Sequence, residues 1–146
     1  MRHMLNMGSL LGITAMLVAG GCATTGSGLS DEEQIAAVLE AWQEAVHAAD
    51  AHKLMATYSE NFAHSGYEYA AEDKAGLREY IEDSIEQGGF DSVEVSMQDA
   101  DIVIENGVAT VYPIDYSNWE GSVVIDLALT KEKDGWLITD MAIEGL

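Results

Sequence analysis

Acid–base chemistry in this chain would have to be built from its carboxylates and its four histidines. The carboxylate with the most informative surroundings is Asp140, in the run "LALTKEKDGWLITD" from Leu127 to Asp140. A two-residue Asp134-Gly135 turn would pair Lys133 with Trp136, and hence Leu129 with Asp140 and Leu127 with Ala142. Val123, Ile125, Leu127 and Leu129 form the most apolar alternating face of the chain, and Trp136, Ile138 and Asp140 would share it. Asp126 would point the opposite way, so these two carboxylates are not expected to form an acid–base pair. A carboxylate on an apolar face is costly unless hydrogen-bonded, and burial raises its pKa. Asp140 is therefore the leading site candidate, as general base or as a hydrogen-bonding contact to a ligand. The plainer alternative is a strand-end carboxylate held by backbone amides or water, and a bulge in the hairpin would move it to the other face. On that other face the same register places Leu137, Met141, Ile143 and Val124, which are too apolar for solvent. They predict a dimer interface or a surface covered by the chain end.

Other catalytic and metal templates fail. His47 and His52 are five apart, which does not bring them to one helix face, and no HExxH is present. Asp99-Ala100-Asp101 begins like a calcium loop, but Val103, Ile104 and Glu105 break the ligand spacing. There is no P-loop and no nucleophile elbow. No metal or cofactor is expected.

The single cysteine, Cys22, sits in "LVAGGCATTG", Leu17 to Gly26. Upstream lie a short basic start, Met1-Arg2-His3, and an uncharged apolar run from Leu10 to Ala19. That run is too short to span a bilayer but suits the core of a secretory signal. With Gly20-Gly21 before it, Cys22 resembles the lipobox cysteine of bacterial lipoproteins, although Ala19 stands where that motif favours Leu. The resemblance implies diacylglyceryl transfer to the Cys22 thiol and cleavage just before it. Acyl chains contribute about 0.8 kcal/mol per buried CH₂, so Cys22 would serve as an anchor, with no thiol left for catalysis. Ala23 in place of Asp implies an outer-membrane destination if the cell has one. The expected organisation is a signal peptide over 1–21, a lipidated cysteine and flexible tether over 22–29, and one domain over 30–146.

The formal net charge is −20, and all 26 acidic residues lie after Cys22. Only Lys53, Lys74, Arg78, Lys131 and Lys133 oppose them there. Phosphate binding rests on clustered Lys and Arg, so nucleic acid is not an expected partner. A cationic ligand or basic partner fits the charge better. An anionic lipid surface would repel the domain that the anchor tethers to it.

The domain must position these groups with local elements that are easy to read. Ser30-Asp31-Glu32-Glu33 is a capping box, and Ile35, Val38, Leu39, Trp42 and Val46 then recur at helical spacing. Asp50 caps a second, shorter helix. A third runs from about Lys74 to Gln87, burying Leu77, Tyr80, Ile81 and Ile85, and Gly88-Gly89 stops it. Afterwards the period is two. Val93, Val95 and Met97 alternate with polar residues, and Ile102 and Ile104 follow. Asn106-Gly107 signals a hairpin, leading to strands over Val108–Tyr116, Ser122–Lys131 and Trp136–Ile143. Helices first and an antiparallel meander afterwards predict an α+β fold with helices on one face of the sheet.

This order resembles the nuclear transport factor 2-like superfamily, including its polyketide-cyclase (SnoaL-like) branch. "WQEAVHAAD" from Trp42, "LMATYSENF" from Leu54, "NGVATVYP" from Asn106 and the last hairpin carry the likeness. The resemblance implies a cone-shaped fold of three N-terminal helices on a curved antiparallel sheet, a pocket at its open end, and pairing through the outer sheet face. It implies no single function, since the fold hosts isomerases, dehydratases, hydrolases and binding modules. His64 lies in the short strand that supplies a catalytic Asp in ketosteroid isomerase-like relatives. Here "FAHSG" offers His64 and Ser65 and no carboxylate, which counts against steroid-isomerase chemistry; a histidine can nevertheless act as a base near neutral pH. Tyr58, Tyr67, Tyr69 and Tyr112 could line a pocket, with Tyr58 and Tyr112 the two carried forward.

Three functions are consistent with these features. One is a lipid-anchored, envelope-facing accessory module that holds a small apolar or cationic molecule without catalysis. Another is a SnoaL-like isomerase, dehydratase or hydrolase using Asp140 or His64 for proton transfer. The last is a scaffold for a protein partner.

Overall fold

The computed structural model describes residues 28–64 and 73–145. The expected lipidation site Cys22, the tether before Gly28, and Ser65, Tyr67 and Tyr69 lie outside the described residues. Three helices come first: α1 Asp31–His47, α2 Ala51–Ala56 and α3 Lys74–Glu86. Each starts at an oxygen-bearing cap. The Ser30 hydroxyl accepts from the Glu33 amide while the Glu33 carboxylate accepts from the Ser30 amide. Asp50 accepts from the Lys53 amide at 3.0 Å, and Asp73 from the Gly76 amide at 2.9 Å. These bonds satisfy orphan donors of the first helical turn. Gly88, at φ +79°, ends α3. Gly89 packs so tightly on it that a Cβ there would lie 2.4 Å from the Ser84 hydroxyl.

Five antiparallel strands follow: β1 Glu94–Ser96, β2 Asp101–Glu105, β3 Val108–Asn118, β4 Gly121–Glu132 and β5 Gly135–Glu144. β3 pairs β4, β4 pairs β5, and β1 and β2 share the other edge of β3. The interruption between β1 and β2 faces a register shift in β3 between Val111 and Ile114. Pro113 lies within that shift and has no N–H for the ladder. All three helices lie against the inner face of the sheet. Ile35, Leu39, Trp42 and Val46 of α1 meet Val111, Ile114, Leu127, Leu129, Trp136 and Ile138 in one core.

The last hairpin departs from the expected register in two places. The turn residues are Lys133-Asp134, and Glu132 pairs Gly135, so Trp136 sits opposite Lys131 and Ile138 opposite Leu129. This is a two-residue shift, so Trp136 and Ile138 still point inward, and both are buried. Between Ile138 and Asp140 an extra residue, Thr139, enters the strand, and Asp140 pairs Ala128 instead of Leu129. A one-residue bulge reverses the parity of everything beyond it. Asp140 therefore lies on the outer face with Asp126, while Met141 and Ile143 turn inward against the core. Both expectations for these residues, Asp140 toward the core and an apolar outer stripe including Met141 and Ile143, are corrected by that bulge.

Nonlocal bonds hold the bulge. The Thr139 carbonyl accepts from the Ala63 amide at 3.0 Å, and its hydroxyl lies 2.9 Å from that of Thr130. The segment after α2 runs along β5 as an extra edge, with the Ser59 amide donating to Ile138 and the Ile138 amide to Thr57. Ser59 is fully buried there. Its hydroxyl donates to the Glu132 carboxylate and accepts from the Asn61 amide.

Candidate functional site

A cavity of about 240 Å³ lies between the helices and the inner sheet face. Its depth is formed by Trp42, Val46, Leu54 and Tyr58. Leu77, Ile81 and Ser84 of α3 form one wall, and Val123, Ile125, Met141 and Ile143 the opposite one. The β5 bulge contributes directly, since it turns Met141 and Ile143 into this wall. Phe90, Tyr80, Tyr116 and Glu120 complete the lining. The Asn118 side chain closes the β3–β4 turn by accepting from the Glu120 and Gly121 amides, and it donates to the Gly89 carbonyl at 3.1 Å. That bond ties the turn to the end of α3.

The polar groups of the cavity are hydroxyls, amides and one carboxylate. Tyr58 is buried, and its hydroxyl accepts from the Trp42 indole N–H at 3.0 Å. Burial pushes the Tyr58 phenol up to about 12, against the smaller opposing effect of the Trp42 bond. It stays protonated at neutral pH and available as a donor. Tyr116 is half-buried and its phenol is also raised, first by burial and then by the neighbouring Tyr80 and Glu120. Tyr80 was expected in the core. Instead it is 59% exposed and contributes to the cavity from the rim of α3.

Of the candidate site residues Asp140, His64, Tyr58 and Tyr112, all of them described, Tyr58 alone lines this cavity. His64 follows the edge segment, with its ring 6.4 Å from that of Phe62. Both ring nitrogens are shielded from solvent and find no hydrogen-bond partner among the described residues. Desolvation lowers the His64 pKa, and the charge of Asp140 partly offsets this. Asp140 accepts from the Met141 amide at 2.8 Å. On the outer face, Tyr112 lies with its hydroxyl 3.4 Å from the Glu144 carboxylate. Its phenol is raised by Glu144, by desolvation and by Asp126. Asp126 is raised as well, chiefly by burial and then by Asp140 and Glu144. Asp140 thus stands near Asp126, contrary to the expectation that the two are separated. The structure brings together Asp126, Asp140, Glu144 and Tyr112 outside, and Tyr58, Tyr80 and Tyr116 inside.

The sequence reading missed Tyr80, Tyr116 and Glu120. The signals were present in the two turns that bracket them, Gly88-Gly89 and Asn118 to Gly121. Among the described residues, no group of three His, Cys, Asp or Glu is placed to hold a metal ion.

No protein-family model matches the sequence, and no curated protein matches it. Solved structures do match. A cystatin-like protein of unknown function from Nostoc punctiforme is 19% identical, covering 80% of this chain and 92% of that one, with a TM-score of 0.62. A nuclear transport factor 2-like protein of unknown function from Shewanella oneidensis is 18% identical over 80% of this chain and 100% of that one, also with a TM-score of 0.62. Bd1075 of Bdellovibrio bacteriovorus, at 16% identity and a TM-score of 0.62, is matched over 77% of this chain, which spans 39% of that longer chain. Three helices on one face of an antiparallel meander, with a cavity between them, give this chain the nuclear transport factor 2-like, cystatin-like α+β fold.

Proposed function

We propose that the chain is a binding module that holds a small, largely apolar molecule in the cavity between helices and sheet. The observation that carries this reading is the composition of the cavity wall. Aliphatic and aromatic side chains surround a buried phenol, and no imidazole stands among the described lining residues. The volume of about 240 Å³ is just below the usual range for ligand pockets, which begins at about 300 Å³, and suits a compact ligand. The apolar wall supplies affinity by desolvation, and the Tyr58 hydroxyl and Ser84 supply orientation.

Placement on the cell envelope through Cys22 is part of the same proposal. It rests on the sequence from Leu10 to Gly26, and no helix among the described residues is long and apolar enough to cross a membrane. Native mass spectrometry of the full chain, purified from its own host, tests both parts. A diacylglyceryl mass that disappears in Cys22→Ser supports the anchor. A co-purified small molecule lost in Ile81→Trp, which fills the cavity, supports the binding reading. A chain with no adduct, even after soaking in host extract, would argue against binding.

Proton transfer by Asp140 or His64 is the second reading, favoured by the closeness that lets Asp140 act on the His64 ring. Neither residue lines the cavity, so this chemistry would take place at the β5 edge. Pairing of two copies through the outer face would further desolvate Asp126, whose pKa burial already raises, so acid should favour it over neutral solution.

A further inference from the structure

We infer that the cavity's ligand carries a cationic head group, seated at the mouth between Tyr80, Tyr116 and Glu120, with its apolar body inside. This rests on the reading of the cavity as a ligand site and specifies which chemical class it takes.

Three independent features give the mouth a negative potential. Glu120 places a carboxylate among the lining residues, and its charge reaches the Tyr116 phenol. Tyr80 and Tyr116 add aromatic rings, whose faces attract cations through the ring quadrupole. The third feature is the C-terminal end of α3. Ser84, Gly89 and Phe90 bring that end to the cavity, and its carbonyls carry the negative pole of the helix. Helix ends of this kind are commonly complemented by Lys, Arg or His in the last turn. Here the last turn has none and contains Asp83 and Glu86 instead.

Among the described residues, no positive side chain lining the cavity offsets these groups, since none of the lining residues is Lys, Arg or His. The nearest cation on the same helix, Arg78, lies within i,i+4 reach of Glu82, at 3.8 Å. Lys74 is bound to the Tyr58 carbonyl and the Glu60 carboxylate, and Lys131 to Asp31. An anionic ligand would meet the Glu120 carboxylate at the mouth with no cation to offset it, and a neutral one would leave that potential unused. A primary or quaternary ammonium on a compact apolar body matches both halves of the site. The formal charge of −20 would also draw such a ligand toward the protein, more weakly in salt.

Three probes with one body separate charge from hydrophobicity: 3-phenylpropylammonium, 3-phenylpropanol and 3-phenylpropanoate. Their affinities for the full chain are measured by calorimetry in dilute detergent and 0.15 M salt, with protein-free detergent as the blank. The ammonium should bind at least about fivefold tighter than the alcohol, and the carboxylate weakest. Glu120→Gln should lower the ammonium-to-alcohol ratio about threefold, and Tyr80→Leu should lower it as well. Glu105→Gln, on β2 and away from the cavity, should not change it. If the alcohol binds as well as the ammonium, the charge inference falls and the cavity reading stands. A preference that Glu105→Gln reduces as much as Glu120→Gln belongs to the net charge, and overturns the seat at the mouth. If none of the three binds, both readings fall.

Discussion

On β4, Ile125, Leu127 and Leu129 turn inward and are almost completely withdrawn from water, whereas Asp126, Ala128 and Thr130, one step out of phase, stay half-exposed. The inner row packs against α1 and forms part of the cavity wall. The outer row lies beside Asp140, Glu144 and Tyr112, and burial together with the Asp140 and Glu144 charges raises the Asp126 pKa. Two surfaces of one sheet thus solve different problems. Inside, apolar area is buried and the few polar groups are paired, as Trp42 is with Tyr58. Outside, charge is kept solvated at the cost of like-charge repulsion. The proposed apolar ligand would rest on the first surface, while the charge of the second would oppose close approach of another acidic surface.

The largest test of this contrast is the core row. Leu127→Ala should destabilise the fold by about 2–5 kcal/mol through lost burial and the void it leaves, read as a lower urea midpoint at pH 7. A loss under about 1 kcal/mol would mean that the inner face is loosely packed. Next in size is Tyr58→Phe. It removes the acceptor of the Trp42 N–H and should cost about 1–3 kcal/mol, because the indole donor is left unsatisfied in the core. Adding Trp42→Phe should recover part of that loss, and additive losses in the double variant would show that the pair is not coupled.

The outer face should respond in the opposite direction. The folded pKa of Asp126 is raised, so its favourable contribution is present below the ordinary carboxylate value of about 3.8 and is lost as pH rises through the folded value. Asp126→Asn should therefore stabilise the protein at pH 7 by about 0.2–1 kcal/mol. That advantage should vanish in acid below pH 3.8. The smallest effect concerns His64, whose pKa is lowered. The unfolded chain binds its proton more readily, so wild-type stability should fall as pH drops below about 6.5. His64→Gln should flatten this part of the profile; equal slopes from pH 7.5 to 5 would show that the ring is free to charge in place.

Much of the architecture was legible because its signals are local. Ser30 and Asp50 are helix caps on oxygen chemistry alone, and Gly88 ends α3 through its positive φ. Ile125, Leu127 and Leu129 face inward because apolar residues at period two can share only one side of a strand. The cavity was legible only as an implication of the family resemblance. Tyr58 was identified, but Tyr80 was assigned to the core because helical spacing cannot tell a buried position from a rim. Asp140 was the leading candidate on parity, and parity is the property that a single extra residue destroys.

The sequence by itself determined the helices, the Ser30 and Asp50 caps, the succession of helices and strands along the chain and the strongly acidic charge. Each follows from neighbouring residues or from simple counting. The tertiary structure decided which carboxylates meet and what lines the cavity. The extra residue in β5 is held by an amide from Ala63 and a hydroxyl from Thr130, and no local pattern around Asp140 contains them. Tyr80, Tyr116 and Glu120 likewise come together only when α3 and the β3–β4 turn, separate in the chain, are joined through Asn118 and Gly89.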